Sequence, residues 1–335
     1  MTSDSRPRRR VRTVLKVLGA IMLALVVVGG VLYVTTPWAP KIEVVEPGPG
    51  GERVTDDGML ANHYPAEGAG PHSAVLLIGG SEGGLNPFMD EMAREIRDAG
   101  HTTLVLSYWG AEDQPERMEE LPLESFTTAL DWLSAHPEVD PERIGMLGVS
   151  KGGEATLLMA SRDPRIRAAV GYVPSHVVWP GIDMRHPWKM MGMGSTWSEG
   201  GQPVPFLPYT DEFRGGTTAE FYQMSLDTLP QHPEAEIPVE ESEAGMLLVC
   251  GEDDTLWPGC PMARAAQERS ETHDGPVIEV LAYPDAGHLI SGPPITAQEA
   301  EDRKLTQMGG TPQGIAAART DAWPKVLDFL DAELG

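Results

Sequence analysis

From residue 72 onward, short continuous apolar runs alternate with longer stretches whose apolar residues recur about one helical turn apart. Ala74–Ile78 (AVLLI), Thr103–Tyr108 (TLVLSY), Arg143–Val149 (RIGMLGV), Ala168–Tyr172 (AAVGY), Met246–Cys250 (MLLVC) and Val277–Ala282 (VIEVLA) are runs of strand length. The continuous run AVLLI suits a strand buried on both faces, TLVLSY reads as the next buried strand, and the other four read as further strands. Between them, Pro87–Ala99 places Phe88, Met92 and Ile96 at one-turn spacing, and Gly100 closes it. Leu123–His136 sets Phe126, Leu130 and Leu133 on one face. Gly153–Ala160 and Asp321–Leu334 read as further helices, the last with Trp323, Val326, Leu327 and Leu330 on its apolar side. Strands alternating with helices predict an α/β fold: a mostly parallel central sheet with helices on both faces. Such sheets bind ligands beyond the carboxyl ends of their strands.

Two segments break this alternation. Residues 180–240 are rich in Met, Pro, Trp and Gly (WKMMGMGSTW, QPVPFLPY) and are expected to be an insertion over the active edge of the sheet, a lid or a wall of an acyl pocket. An ordinary long connection packed on itself is the alternative. At the other end, Val17–Val34 is uncharged and apolar and has about the length of a bilayer-spanning helix. The expected organisation is a basic N-terminus at 1–16, a transmembrane anchor at 17–36, a linker with possible opening strands at 37–70 and a catalytic domain at 71–335. The basic block predicts a cytoplasmic N-terminus and an extracytoplasmic body. A signal peptide cleaved to release a secreted protein is the alternative, although the run ends in Tyr33-Val34-Thr35-Thr36-Pro37-Trp38 without an A-x-A cleavage pattern.

Charge narrows the partners. The chain of 335 residues carries −25 overall. Residues 1–16 hold six Arg and Lys against one Asp, so the rest of the chain is near −30. A body this acidic repels nucleic acid. Cys250 and Cys260 bracket GEDDTLWPG; in an exported protein they invite a disulfide, while Cys250 alone would serve as a small hydrophobe at a strand end.

The chemistry-bearing residues all fall just after strands. Gly148-Val149-Ser150-Lys151-Gly152 is G-x-S-x-G between a strand and a helix, the setting of a strained turn that exposes a nucleophilic serine. This motif points to the α/β-hydrolase fold. A serine needs a base, and His288 in YPDAGH follows the last strand. His176 and His186 are rivals, disfavoured because this fold orders its triad serine, acid, histidine. Asp254 in GEDD is the expected acid and Asp253 the runner-up. The backbone N–H of Lys151 and those of Gly80 and Ser81, in the GGSEGG loop after the first buried strand, are the expected oxyanion donors. That loop lacks the Lys-Ser/Thr ending of a phosphate-binding loop. No His or Cys pair has metal-ligand spacing, and neither metal nor cofactor is expected.

The stretch IGMLGVSKGGE (144–154), followed by YVPSHVVW (172–179), resembles the acyl-CoA thioesterase and bile acid-CoA:amino acid N-acyltransferase family, in its C-terminal catalytic domain. GGSEGGL (79–85), IPVE (237–240), GEDD (251–254), YPDAGH (283–288) and Asp321-Ala322-Trp323 extend the likeness over residues 73–335. The resemblance implies a Ser150/Asp254/His288 triad acting on acyl thioesters. Transferases of the family carry Cys as nucleophile, so serine implies hydrolysis rather than amide formation. The family's N-terminal β-sandwich domain has no room in residues 37–70, and an extracytoplasmic body would meet little CoA. A more distant likeness to dienelactone hydrolases keeps plain carboxylesters open as substrates. The expected function is a membrane-tethered serine hydrolase of small-molecule acyl esters or thioesters. Acyl transfer to another acceptor, or a binding protein on a hydrolase scaffold, are the alternatives.

Overall fold

The computed structural model describes residues 6–335. The first five residues of the basic N-terminal block lie outside them. A long helix, α1 (Arg6–Thr35), opens the chain. It begins well before the apolar run: arginine is a good helix former, and Pro7 falls in the first turn, where proline is tolerated. Its part from Leu15 to Thr35 buries no residue against the body and is long and apolar enough to cross a bilayer. Next come β1 (Glu52–Val54), β2 (Leu60–Tyr64), β3 (His72–Ile78), α2 (Pro87–Asp98), β4 (Thr102–Ser107), β5 (Leu121–Pro122) and α3 (Glu124–Ala135). The nucleophile motif joins β6 (Val139–Val149) to α4 (Lys151–Ala160), and β7 (Ile166–Tyr172) follows. After an irregular excursion holding β8 (Trp197–Glu199), β9 (Gln202–Pro203) and α5 (Thr218–Leu226), the alternation resumes with β10 (Gly245–Gly251), α6 (Gly259–Thr272) and β11 (Ile278–Tyr283). Helices α7 (Ala297–Asp302) and α8 (Pro312–Leu334) close the chain. Helix α8 starts nine residues before the expected Asp321; Thr311 caps its N-terminus by accepting from the Gly314 N–H, with Pro312 in the first turn.

Eight strands form the central sheet in the order β1-β2-β4-β3-β6-β7-β10-β11. Only the β1–β2 and β2–β4 pairs are antiparallel, and β1 and β2 lie within the segment expected to be a linker with possible opening strands. Successive residues of a strand face opposite sides of a sheet, so each buried strand feeds two cores. Leu76 and Ile78 of β3 pack with Phe126 and Leu130 of α3 and Ala263 of α6. Val75 and Leu77 pack with Met89 and Met92 of α2 and Val326 of α8. All four β3 side chains are fully buried, which is why the strands read as unbroken apolar runs. Truncating Leu76, Leu77 or Ile78 to Ala is expected to cost about 2–5 kcal/mol. The register sets Val149 of β6 beside Tyr172 of β7, and Gly251 of β10 beside Tyr283 of β11. The loops bearing Ser150, Asp254 and His288 therefore leave the sheet along one edge. This is the α/β-hydrolase architecture.

The excursion from 173 to 244 sits over that edge. Strand β8 pairs with β5 and β9 in a small second sheet. The N–H of Ala219, in α5, donates to Thr255 O on the acid-bearing loop at 3.2 Å. Val177, Trp179, Leu207, Tyr222, Trp257 and Met262 form a third, aromatic-rich core between the excursion and the sheet edge. Nearer the N-terminus, the segment after α1 lies on the body: Val45 N–H donates to Leu85 O at 2.7 Å and Ile42 packs against the first core.

Candidate active site

Ser150 has φ 58° and ψ −118°, a conformation that L side chains rarely adopt. Two glycines make the turn possible. A Cβ on Gly148 would stand 2.1 Å from Gly152 O, and one on Gly152 would stand 2.5 Å from the carbonyls of Ile78 and Gly79. The G-x-S-x-G spacing is thus a backbone-packing requirement. The Ser150 N–H donates to Tyr172 O at 2.9 Å, tying the turn to β7.

Ser150 Oγ lies 3.0 Å from His288 Nε2, and His288 Nδ1 lies 2.7 Å from Asp254 Oδ2. With Nδ1–H donating to the carboxylate, the Nε2 lone pair is left to accept from the serine hydroxyl. The other carboxylate oxygen, Asp254 Oδ1, accepts from the N–H groups of Leu256 (2.8 Å) and Trp257 (3.1 Å), which fixes its orientation. Asp253 N–H in the acid loop donates to Ala286 O in the histidine loop at 2.9 Å, and both loops donate to Met308 O, from Thr255 N–H at 3.3 Å and His288 N–H at 3.1 Å. Only 7% of Ser150 and 4% of His288 is exposed, so the pair is held away from bulk water. The Trp257 ring stands edge-on to His288 at 5.7 Å, and its Nε1–H donates to Val173 O.

Three rivals fall elsewhere. Asp253 is exposed while its neighbour reaches His288. His186 bonds to Asp183 and to the Tyr33 carbonyl. His176 is buried, and burial, aided by Arg269, pulls its pKa down to about 4. The expected oxyanion donors divide. The Gly80 N–H donates to Glu82 Oε1 at 2.9 Å and is therefore already satisfied within its own loop. Ser81 N–H donates to no acceptor among the described residues. Nor does Lys151 N–H, which at the first position of α4 has no intrahelical partner. Sequence reasoning missed Glu82 because a carboxylate folding back on a backbone N–H two residues away leaves no periodic signal.

It also missed the Lys151 side chain and Glu154. Lys151 Nζ lies 2.8 and 2.7 Å from the two Glu154 oxygens, and both side chains are buried. Burial pushes the lysine pKa down and the carboxyl pKa up, opposed by their mutual attraction. Glu154 Oε1 also accepts from Trp179 N–H (3.2 Å) and Trp197 Nε1–H (2.8 Å). One buried carboxylate thus joins the nucleophile helix to the excursion above it. The SKGGE string carried the signal, as an acid at i+3 from a lysine. Cys250 and Cys260 form a disulfide that closes the loop containing Asp254.

An α/β-hydrolase sheet with serine, histidine and aspartate meeting at its carboxyl edge defines the class of the molecule. Solved structures agree on the fold. A putative dienelactone hydrolase from Klebsiella pneumoniae is similar over 84% of this chain and 97% of its own, with TM-score 0.53 at 17% identity. A dienelactone hydrolase-like promiscuous phosphotriesterase from metagenomic libraries covers 83% and 93%, with TM-score 0.52 at 16% identity. Residues 121–335 match the family model described as BAAT / Acyl-CoA thioester hydrolase C terminal, and the chain belongs to that family. Human acyl-coenzyme A thioesterase 1 is 31% identical over 275 residues, covering 79% of this chain and 61% of the human protein. Human mitochondrial acyl-coenzyme A thioesterase 2 is 31% identical, with 79% and 53% covered. The rat acyl-coenzyme A thioesterase 1 is 28% identical, with 90% and 74% covered. The chain thus spans under two thirds of the human relatives it matches.

Proposed function

We propose that this chain is a serine-dependent acyl hydrolase acting on thioesters or esters, with Ser150 as nucleophile, His288 as general base and acid, and Asp254 as the group that orients His288. The observation that carries this reading is the continuous hydrogen-bonded chain Ser150–His288–Asp254 at the sheet edge. Ser150 Oγ attacks the acyl carbonyl as its proton passes to His288 Nε2. Asp254 stabilises the resulting imidazolium. The unengaged N–H groups of Lys151 and Ser81 are the donors for the oxyanion, each worth about 3 kcal/mol of barrier in comparable sites. His288 then protonates the departing thiol or alcohol. Water, deprotonated by the same ring, attacks the acyl-enzyme and releases the acid.

Family membership and the thioesterase relatives favour a thioester leaving group. Trp179, Tyr222 and Trp257 pack together as a buried aromatic core that holds the excursion over the site, and the acyl half of the substrate is proposed from the thioesterase relatives alone. The excursion expected as a lid is assigned the pocket wall. Helix α1 is assigned a retained single span, with its Arg-rich end cytoplasmic and the body outside. A body at 71–335 then forms the catalytic domain.

The test is turnover of the full chain in detergent on matched acyl-CoA and p-nitrophenyl ester series, beside Ser150→Ala. Loss of turnover in a folded Ser150→Ala protein is expected, with thioesters preferred. Equal turnover by the two proteins would contradict the assignment. Acyl transfer is read in the same assay by adding amines and looking for amide product.

A further inference from the structure

A turn of the excursion, Pro187–Gly192, exposes Trp188 (57%) and Met191 (55%) to solvent. It does so against the carboxyl end of α1. The Tyr33 ring lies 4.6 Å from His186 and 6.2 Å from Trp188, and Trp38, itself 46% exposed, lies 6.0 Å from Trp188. Trp38 Nε1–H donates to Arg185 O at 2.9 Å, His186 Nε2 contacts Tyr33 O at 3.2 Å, and Lys189 Nζ sits over the Tyr33 ring at 5.6 Å. Tryptophan, tyrosine and lysine at the end of an apolar helix are the residues that settle at a membrane–water interface. The patch is continuous with that helix.

We infer that the 185–192 face lies in the interfacial layer of the same bilayer that holds α1, so that the site faces lipid and draws acyl-chain amphiphiles from it. This rests on reading α1 as a retained span. The net negative charge of the body argues against attachment to anionic headgroups. Contact must then come from apolar and aromatic insertion, which suits a zwitterionic surface. The chain path sets the distance. Ile42, seven residues past Thr35, packs its side chain against Gly83 of the 79–84 loop and against Gly110. Seven residues reach at most about 25 Å. Gly80 in the same loop is close-packed on Ser150, a Cβ there standing 3.0 Å from Ser150 Cβ. The serine therefore lies near the end of the helix rather than at the far pole of the body.

The test uses the full chain in phosphatidylcholine vesicles, with a fluorophore attached through Trp188→Cys or, as control, through Val277→Cys. Val277 is 82% exposed and precedes β11, at the opposite end of the sheet from the site. Flotation with the vesicles comes first, and a chain that does not float overturns the span and this inference together. Once it floats, doxyl-labelled lipid is expected to quench the label at 188 about twofold while sparing the label at 277. A floating protein whose 188 label is unquenched overturns the inference and leaves the span standing. A second readout pairs Trp188→Asp with Met191→Asp. Turnover of a long-chain thioester presented in vesicles should fall about tenfold more than turnover of a water-soluble short-chain ester. An equal fall on both substrates would also overturn the inference.

Discussion

The turn at Ser150 and the excursion above it meet at one buried carboxylate but are held by different forces. Residues 148–152 are constrained by backbone: a positive φ at Ser150, two glycines without room for a side chain, and the Ser150 N–H bonded to β7. The excursion has little regular structure and is pinned by side chains. Glu154 accepts from Trp179 and Trp197, Thr196 Oγ1 donates to the Trp179 and Pro180 carbonyls, and Trp257 links the acid loop to the aromatic core. Backbone constraint specifies a catalytic atom tightly. Side-chain pinning registers an irregular segment to that atom through a few positions, Trp197 and Thr196 among them.

The largest expected effect comes from cutting the shared anchor. Glu154→Ala leaves the Lys151 ammonium buried and unpaired, and removes the acceptor of two N–H groups. It should destabilise the protein by about 3–5 kcal/mol in a urea melt. Replacing both partners with apolar residues of similar volume should recover much of that loss. If Glu154→Ala were silent in stability, the excursion would not depend on this pin.

Next is the junction where β7 hands over to the excursion. His176 accepts the Ile237 N–H at its carbonyl, and its buried ring has a pKa near 4 against 6.5 for a free histidine. Between those values the unfolded chain binds a proton that the folded one refuses. Stability therefore falls as pH drops from 6.5 to 4, by about 3 kcal/mol, and is unaffected by this group above pH 7. Comparing melts of wild type and His176→Leu across that window checks it: the variant's pH slope should be shallower. The smallest effect belongs to Trp257→Phe, which keeps a ring beside His288 but loses the hydrogen bond to Val173 O. About 1 kcal/mol of stability should go, with only a modest change in kcat.

The same division governs what could be read from sequence. Strands β3, β4, β6, β7 and β10 were legible because burial on both faces forces unbroken apolar runs. The positions of Ser150, Asp254 and His288 at strand ends were legible because chemistry and glycine sterics confine them to those loops. Helix α8 was read nine residues short because its first turns bury Ile315, Ala318 and Arg319, a small and partly polar set that gives little periodic signal. The short strands β8 and β9 were not legible, because β8 pairs with β5, far away in sequence. Helix α5 was missed although Thr217 and Glu220 form a capping box at its start, a signal the Thr-x-x-Glu spacing carries. The bond from Gly80 N–H to Glu82 was not legible either, since nothing in GGSEGG says that Glu82 turns back on its own loop.

The central claim is that Ser150 forms the acyl-enzyme, and the most direct measurement is mass spectrometry of the full chain after treatment with a fluorophosphonate. The account predicts a single adduct on the peptide containing Ser150, much slower labelling in His288→Ala, and none in a folded Ser150→Ala. An adduct on another residue, or undiminished labelling in Ser150→Ala, would contradict it.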